Sequence, residues 1–319
     1  MTVSVIVTTY NYAQFVREAI NSVLGQTIED LQVLVVDDGS TDNTPDILAS
    51  LDDPRIEVIR TSHQGSCATR NEGLARARGD FIAFLDADDH FRPDKLERQV
   101  RMMKAEPDLV GVLTNFVRFD ESGVYPKDQF FFFPELAATQ TRATQDGGGY
   151  KIVGDAFCTL VAFNEIPAWG GVMLWRASAI RDLRFALEGL HKGLCGDLHF
   201  ALRAFRRGGV GFIGEPLAEI RRHGGNATSR SLDMPDAKLA ALKLVLREHL
   251  TEPEGIALRR RVGRALIEVG QHNVANRRLR AAGGAFVRAL GFEGARISAL
   301  KNLVLLGIPK RHPRVTQAT

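Results

Sequence analysis

The segment Phe81-Ile-Ala-Phe-Leu-Asp-Ala-Asp-Asp89 is the most informative part of this sequence. Its first part, Phe81–Leu85, is a short apolar run typical of a buried strand. Three carboxylates, at Asp86, Asp88 and Asp89, follow where that strand should end. Like charges this close raise one another's pKa, and a divalent cation held by their oxygens would remove that cost. The segment therefore predicts either a cation site or a solvated acidic turn.

Strands and helices alternate along the first hundred residues. Short apolar runs predict the strands, and apolar residues at helical spacing predict the helices. The predicted strands are Val3–Thr8, Leu31–Val36, Ile56–Arg60 and Phe81–Leu85, and the helices are Ala13–Leu24, Thr44–Leu51, Ser66–Ala77 and Lys95–Lys104. Later elements are strands over Val110–Phe119, Val210–Ile213 and Leu217–Arg222, and a helix over Leu198–Arg207. This alternation predicts an α/β fold with a mostly parallel, Rossmann-like sheet flanked by helices.

The composition is that of an ordinary soluble protein, with 45% hydrophobic and 25% charged residues among 319. No apolar stretch approaches the roughly 18 residues of a membrane span, and Met1 leads into the chain without a signal-peptide pattern. Cys67, Cys158 and Cys195 are an odd number without metal-binding spacing, which fits a reducing compartment. We therefore expect a cytoplasmic protein.

Charge divides the chain into two parts. Residues 237–319 carry 16 Lys and Arg against 5 Asp and Glu, a balance of +11, so residues 1–236 carry −8 of the net +3. The shift predicts a separate, basic and mainly helical region over residues 232–319. Its helices would form an amphipathic bundle with a solvated basic face, or contact a membrane surface or a second copy of the chain. No nucleic-acid motif accompanies the charge, so we expect no nucleic-acid partner.

Polar residues follow three strands of the predicted sheet. Thr8–Asn11 follows the first strand, Asp37–Ser40 the second and Asp86–Asp88 the fourth. The carboxyl ends of neighbouring parallel strands meet at one edge, so these clusters should converge there. Between them, Gly65–Asn71 opens a helix whose backbone N–H groups suit an anion such as a diphosphate, and Arg70 adds a planar cation.

At these residues the sequence resembles the family-2 glycosyltransferases, nucleotide-sugar transferases with a GT-A fold. The segments that carry the resemblance are Val5–Asn11, Val35–Asp42, Gly65 with Arg70-Asn71-x-Gly73, Phe84–Asp89 and Arg221–Asn226. They come in the family's order and cover residues 1 to about 230. The resemblance implies a GT-A catalytic domain over residues 1–231, with a nucleotide-binding half to about 105 and an acceptor-binding half over about 106–231, before the C-terminal helical appendage.

The resemblance implies a donor site for a nucleotide sugar, with a UDP-sugar favoured. The donor-binding residues are Thr8, Tyr10, Asp38, Arg70, Asp86 and Ala87. Thr8 and Tyr10 would line the base pocket, with Tyr10 stacking on the ring. Asp38 would accept a hydrogen bond from the base, Arg70 would help to hold the nucleotide, and Asp86 would contact the ribose.

The resemblance also implies a metal ion, Mn²⁺ or Mg²⁺, held by Asp88 against the diphosphate. His223 would reach the metal or the diphosphate, or else order its loop through a hydrogen bond. Asp197 would be the general base, with Gly196 where the family usually has Glu. A helix N-cap is compatible with the position of Asp197. We interpret Asp89 as a turn or helix-start residue before Pro93.

Trp169, Gly170 and Gly171 lie where the family shapes the interface between donor and acceptor, although Trp169 could equally be a core residue. The implied reaction is inverting transfer of a sugar to a hydroxyl of a saccharide or lipid-linked acceptor in bacterial surface-polysaccharide synthesis. Two other hypotheses stay open at this point: an aspartate-nucleophile phosphatase and a non-catalytic carbohydrate-binding relative. A processive synthase is disfavoured because it would need a late Gln/Arg-x-x-Arg-Trp motif, and no Trp follows Trp175.

Overall fold

An 11-stranded sheet organises the N-terminal part of the protein. The computed structural model describes residues 1–125, 141–163, 170–190, 194–226 and 234–307. The chain divides into two compact units, Met1–Met234 and Pro235–Thr319. The further division of the first unit into a nucleotide-binding and an acceptor-binding half stays a prediction.

The bounds of the elements follow the predicted alternation closely over the first hundred residues. The strands are β1 Val3–Thr9, β2 Leu31–Asp37, β3 Ile56–Arg60, β4 Phe81–Asp86, β5 His90–Phe91, β6 Leu109–Asp120, β7 Gly123–Val124, β8 Thr141–Ala143, β9 Tyr150–Ile152, β10 Met173–Arg176 and β11 Gly209–Arg221. The helices of the first unit are α1 Val16–Leu24, α2 Thr44–Ala49, α3 Ser66–Arg76, α4 Lys95–Ala105, α5 Ala156–Val161, α6 Ala177–Ile180 and α7 Gly196–Phe205. A 3₁₀ turn, Gly170–Val172, precedes β10.

The strands lie in the order β3-β2-β1-β4-β10-β6-β11-β9-β8, with β5 paired to β11 and β7 paired to β6. The first four of these run parallel, as do β6 and β11, whereas β10 lies antiparallel between β4 and β6. The α/β fold with a mostly parallel sheet and flanking helices is therefore confirmed. The two strands predicted over 210–213 and 217–222 are one strand, β11, because register shifts on either side of Pro216 let the chain continue without breaking the pairing.

Each residue of the motif Arg70-Asn71-x-Gly73 on α3 has a different structural role. The amide of Asn71 donates to the carbonyl of Phe185 at 2.9 Å and accepts from the Phe185 N–H at 2.8 Å. Gly73 faces Ile6 of β1 so closely that a Cβ at this position would collide with the Ile6 side chain. Since both contacts fix α3 against the sheet and a distant loop, Arg70 is held at the sheet edge.

The second unit contains four helices among its described residues. They are α8 Met234–Val245, α9 Glu252–Ala275, α10 Leu279–Ala289 and α11 Arg296–Gly307. The side chains of Thr251 and Glu254 form a capping box at the start of α9. Gly270 of α9 leaves room for the ring of Phe286 of α10, because a Cβ there would overlap that ring. None of the described helices has the length and hydropathy to cross a membrane.

Candidate active site

Polar ends of β1, β2 and β4 converge on one cavity of about 440 Å³. The sequence-predicted residues that line it are Thr8, Tyr10, Asp38, Arg70, Asp86, Asp88, Gly170, Gly171 and Asp197. Ala87 is buried behind this wall and donates its N–H to the carbonyl of Thr8 at 3.1 Å. Trp169 lies outside the described residues. The parallel register explains the convergence, since Thr8 aligns with Asp86 of β4 and with Val36 of β2.

Asp86 is the carboxylate that joins β1 to α3. Its Oδ1 accepts from the Thr8 hydroxyl at 3.1 Å and from Nη2 of Arg70 at 2.7 Å. The Arg70 side chain is only 11% exposed, whereas that of Asp86 is 44% exposed. The ion pair therefore places a buried cation behind a carboxylate that still faces the cavity.

Asp88 is held by two residues from the far end of β11. Its Oδ2 accepts from Nδ2 of Asn226 at 2.9 Å and lies 3.0 Å from Nε2 of His223. Nδ1 of His223 accepts from the Gly225 N–H at 3.1 Å, which assigns the ring proton of a neutral imidazole to Nε2. Nε2 then donates to Asp88, so His223 orients this carboxylate. Burial and the charge of Asp86 raise the pKa of Asp88.

His223 faces a neighbouring cavity of about 620 Å³, and Tyr10 and Tyr12 contribute to the walls of both cavities. Tyr12 is a site residue that the sequence analysis missed. Burial and the charge of Asp88 raise the pKa of its hydroxyl, which stays protonated and able to donate. Asn226 was quoted only as part of a motif, and its contact with Asp88 joins residues 138 positions apart.

Asp89 is a turn residue, as predicted, since its N–H donates to the carbonyl of Asp86 at 3.0 Å. Its side chain has a role that the sequence analysis did not predict. Asp89 is buried, lines the cavity and accepts the backbone N–H of Arg221 on Oδ1 at 2.9 Å. Burial, followed by the charges of Asp88 and Asp86, raises the pKa of its carboxyl well above the usual range. Local sequence gave no signal for this role, because the partner of Asp89 lies on the distant strand β11.

Asp38 orders the loop that precedes α3. Its Oδ1 accepts from the Thr61 hydroxyl and the Gln64 N–H, and its Oδ2 accepts from the Gly65 N–H, each at 2.8 Å. Burial alone would raise the pKa of Asp38, but these hydrogen bonds outweigh it and lower the pKa. Asp38 therefore stays charged, and Oδ2 is the oxygen with acceptor capacity left for a ligand.

Asp197 is the second residue of α7, and its carboxylate lines the cavity. The helix N-cap is Cys195, in the left-handed region at φ +60°, so the N-cap interpretation of Asp197 is wrong. Oδ1 of Asp197 accepts from the N–H of Leu198 at 2.9 Å. Burial raises the pKa of Asp197, and the charge of Arg70 opposes that rise without cancelling it.

Gly196 is glycine for a packing reason. A Cβ at Gly196 would overlap Sγ of Cys67 on α3 and would stand 3.7 Å from Leu190 and Phe185. A Glu at this position, as is usual in the family, would therefore collide with Cys67 of α3. Gly170 and Gly171 differ from it, since a Cβ at either would make only ordinary contacts, 3.7–4.0 Å long, with Phe84, Arg70, Ile220 and Asp89.

The described residues contain no group of three or more His, Cys, Asp or Glu side chains arranged around a metal ion. The donors present nevertheless suit a cation whose coordination is completed by phosphate oxygens, as Mg²⁺ is usually bound. Asp86 and Asp88 repel each other across the cavity floor, and this repulsion contributes to the raised pKa of Asp88. A cation placed between them would remove that cost.

Known proteins resemble this chain in sequence and in fold. The model of the family "Glycosyl transferase family 2" matches residues 4–165. An uncharacterized glycosyltransferase of Nostoc sp. is 45% identical over 116 residues, which cover 35% of this chain and 36% of that protein. The putative teichuronic acid biosynthesis glycosyltransferase TuaG of Bacillus subtilis is 38% identical over 136 residues, 42% of this chain and 53% of that protein. The matches thus span about a third to a half of these relatives.

Two solved structures share the fold across most of the chain. Residues 1–349 of S. aureus TarS, in complex with UDP-GlcNAc, superpose with a TM-score of 0.63 at 17% identity, covering 96% of this chain and 90% of that one. The mannosyltransferase PcManGT of Pyrobaculum calidifontis, in complex with GDP-Man and Mn²⁺, gives a TM-score of 0.57 at 18% identity, covering 95% and 80%. At these identities the likeness concerns the fold.

Proposed function

Because the chain belongs to glycosyltransferase family 2, we propose that it is an inverting, metal-dependent transferase of sugars from a nucleoside-diphosphate donor. The observation that carries the proposal is the opening of the Asp197 carboxylate into the same cavity as Asp86 and Asp88. A UDP-sugar is the favoured donor, and a hydroxyl of a saccharide or lipid-linked acceptor is the favoured nucleophile. The similarity to TuaG, a putative glycosyltransferase of teichuronic acid biosynthesis, supports a place in bacterial surface-polysaccharide synthesis.

Asp197 would take the proton from the acceptor hydroxyl as its oxygen attacks the anomeric carbon. The bond from that carbon to the diphosphate breaks on the opposite face, so the configuration inverts and no covalent enzyme intermediate forms. The raised pKa of Asp197 suits this role, because a more basic carboxylate accepts a proton more readily.

Arg70 would meet the charge that develops on the leaving diphosphate. Its Nε is buried without a hydrogen-bond partner among the described residues, and its Nη2 binds Asp86, so the guanidinium would act on the diphosphate through its charge. Asp88, with Asp86 beside it, would hold Mn²⁺ or Mg²⁺, and a bound cation would supply further positive charge at the diphosphate. His223 would orient Asp88, and its direct ligation of the metal stays a prediction.

The family membership argues against the phosphatase hypothesis. In addition, an aspartate-nucleophile phosphatase would have no role for Asp38 and Asp197. A non-catalytic relative would keep the fold and lose the reaction. Release of UDP from a UDP-sugar in the presence of Mn²⁺ separates that case from the enzyme.

We expect Asp197→Asn to lower the rate of sugar transfer and of donor hydrolysis by about 10²–10⁴-fold, the usual contribution of a general base. UDP affinity should stay within about twofold by calorimetry, because Asn keeps the size of the side chain. In the wild type the rate should rise with pH through a pKa above the ordinary carboxyl value, since the base acts deprotonated. Asp52→Asn, an exposed change, is the control. Equal losses of UDP affinity and rate would remove Asp197 from the role of base.

We expect Asp88→Asn to abolish the increase in UDP affinity that Mn²⁺ produces in the wild type. The charge that attracts the cation is lost, whereas the amide can still contact His223 and Asn226. Calorimetric UDP titrations with Mn²⁺ and with EDTA measure this directly. The same Asp52→Asn variant should behave as the wild type, and a Mn²⁺ effect that persists in Asp88→Asn would exclude Asp88 as a ligand.

We further propose that α11 binds an anionic lipid surface, which would place the enzyme on the inner face of the cell membrane. Large aliphatic side chains of α11 are exposed at helical spacing: Ile297, Leu300, Val304 and Leu305, by 54–84%. Residues 277–307 carry six Arg and Lys against one acidic residue, Glu293. This basic segment would be attracted to acidic lipid, and in a homodimer it would repel the same segment of the second copy.

Wild-type protein should therefore sediment with vesicles containing phosphatidylglycerol and remain in solution with pure phosphatidylcholine. Replacement of Leu300 and Val304 by Ser should reduce vesicle binding by about tenfold, because two apolar anchors are lost. Leu187→Ser, which changes an exposed leucine of the first unit, is the matched control. The opposite result would be a protein that does not bind vesicles and forms a dimer in light scattering, with the dimer lost in Leu300→Ser. That result would identify the exposed aliphatic residues of α11 as a subunit interface.

A further inference from the structure

A partly buried cation on β6, Arg118, has no role in the mechanism above. Arg118 lines the cavity, and it forms no hydrogen bond or ion pair through its side chain with any described residue. Its Nε is fully buried. An unpaired, partly desolvated charge is costly, and proteins usually satisfy it with a counter-ion or a ligand.

A second arginine lies close to Arg118. Arg222, one residue beyond β11, also lines the cavity, and its N–H donates to the carbonyl of Phe119 at 2.7 Å. Burial first, and then the charge of Arg222, lowers the pKa of Arg118. A bound anion would reverse both effects, because it would replace lost solvation and screen the two cations from each other.

The position of Arg118 separates it from the base end of the cavity. Tyr10 and Asp38 follow β1 and β2, and the acidic residues follow β4, whereas β6 lies on the other side of β10. A donor whose base lies near Asp38 and whose diphosphate lies near Asp88 would direct its sugar, and the acceptor, toward β6. The cation therefore lies beyond the place proposed for the diphosphate.

We propose that Arg118, with Arg222 beside it, forms a second anion subsite that binds an acidic group of the substrates other than the donor diphosphate. That group is the carboxylate of a uronosyl donor, or a phosphate or carboxylate of the acceptor. Arg suits either, since its planar guanidinium forms paired hydrogen bonds with both kinds of anion. The inference rests on the proposed glycosyl transfer.

The test compares Arg118→Met, which keeps the length and removes the charge, with Arg118→Lys, which keeps the charge. One arm measures the affinity of UDP-glucuronate relative to UDP-glucose. The other measures binding of inorganic phosphate to protein saturated with UDP and Mn²⁺. Arg118→Met should lose about tenfold in one arm, keep UDP affinity within twofold, and raise Tm because an unpaired cation is gone. Arg118→Lys should recover part of the loss.

The arm that responds identifies whether the acidic group belongs to the donor or to the acceptor. Arg78→Met, at an exposed arginine of the same unit, should change nothing. Unchanged values in both arms, or an equal loss of UDP affinity, would overturn the second anion subsite. A wild type that binds no nucleoside diphosphate would instead refute the proposed function.

His63 carries a second, independent inference. Its imidazole stacks on the ring of Tyr10, with centroids 4.0 Å apart and planes 25° apart. Nδ1 of His63 lies 3.4 Å from Oδ2 of Asp38, the oxygen with remaining acceptor capacity. A flat heteroaromatic ring thus stacks on Tyr10 with a ring nitrogen directed at Asp38, which are the two contacts expected of a nucleobase.

We infer that His63 occupies the base subsite as an internal competitor, which the donor base must displace. Two rings 4.0 Å apart leave no room for a third between them. The side chain is 58% exposed, so it can leave toward solvent without disrupting a core. The backbone of His63 is left-handed at φ +52°, a conformation that Asn also tolerates.

His63→Asn should therefore tighten UDP binding about three- to tenfold, because no ring has to be displaced. His63→Phe, which keeps a ring against Tyr10 and lacks the nitrogen, should fall between Asn and the wild type. Pyrophosphate affinity should be equal in all three proteins, since this ligand has no base, and His272→Asn in the second unit is the matched control. Weaker UDP binding by His63→Asn would show that His63 contributes to the bound state and would refute the competitor role.

Discussion

The ion pair between Arg70 and Asp86 is the interaction on which the rest of the site depends. Arg70 is buried on α3, and its charge acts on Asp86 and on Asp197, which lie more than a hundred residues apart in the sequence. Burial raises the pKa of Asp197, and Arg70 limits that rise. One cation therefore binds the carboxylate of Asp86 directly and opposes the rise in the pKa of the candidate base in the same cavity.

Strand β11 provides the second constraint, because it fixes the acidic segment from the far side of the sheet. The backbone N–H of Arg221 binds Asp89, and its Nε donates to the carbonyl of Asp88 at 3.1 Å. Its Nη2 also forms an ion pair with Glu18 of α1 at 2.6 Å. Arg221 thus ties three parts of the chain together, and the direction of the Asp88 carboxylate follows from a strand more than 130 residues away.

The sequence was sufficient to predict the sheet and the strand ends because both depend on local patterns. Apolar runs define β1, β2 and β4, and parallel pairing brings their ends together, so Thr8, Asp38 and Asp86 could be placed in advance. Two of the features that the sequence did not predict join distant segments: the side chain of Asp89 binds β11, and His63 stacks on a ring in another loop. The N-cap at Cys195 depends instead on the left-handed backbone of that one residue.

The distribution of charge within the cavity says more about the ligand than its net charge does. Carboxylates that repel one another occupy the end of β4, and two arginines that repel one another occupy the ends of β6 and β11. The charge of Arg222 lowers the pKa of Asp89, but burial and the charges of Asp88 and Asp86 outweigh it. A cation among the carboxylates, and an anion beside Arg118, would each relieve a like-charge repulsion of the free protein. Under the proposals above, the metal of a bound nucleotide would supply the positive charge, and an acidic group of the sugar or the acceptor would supply the negative charge.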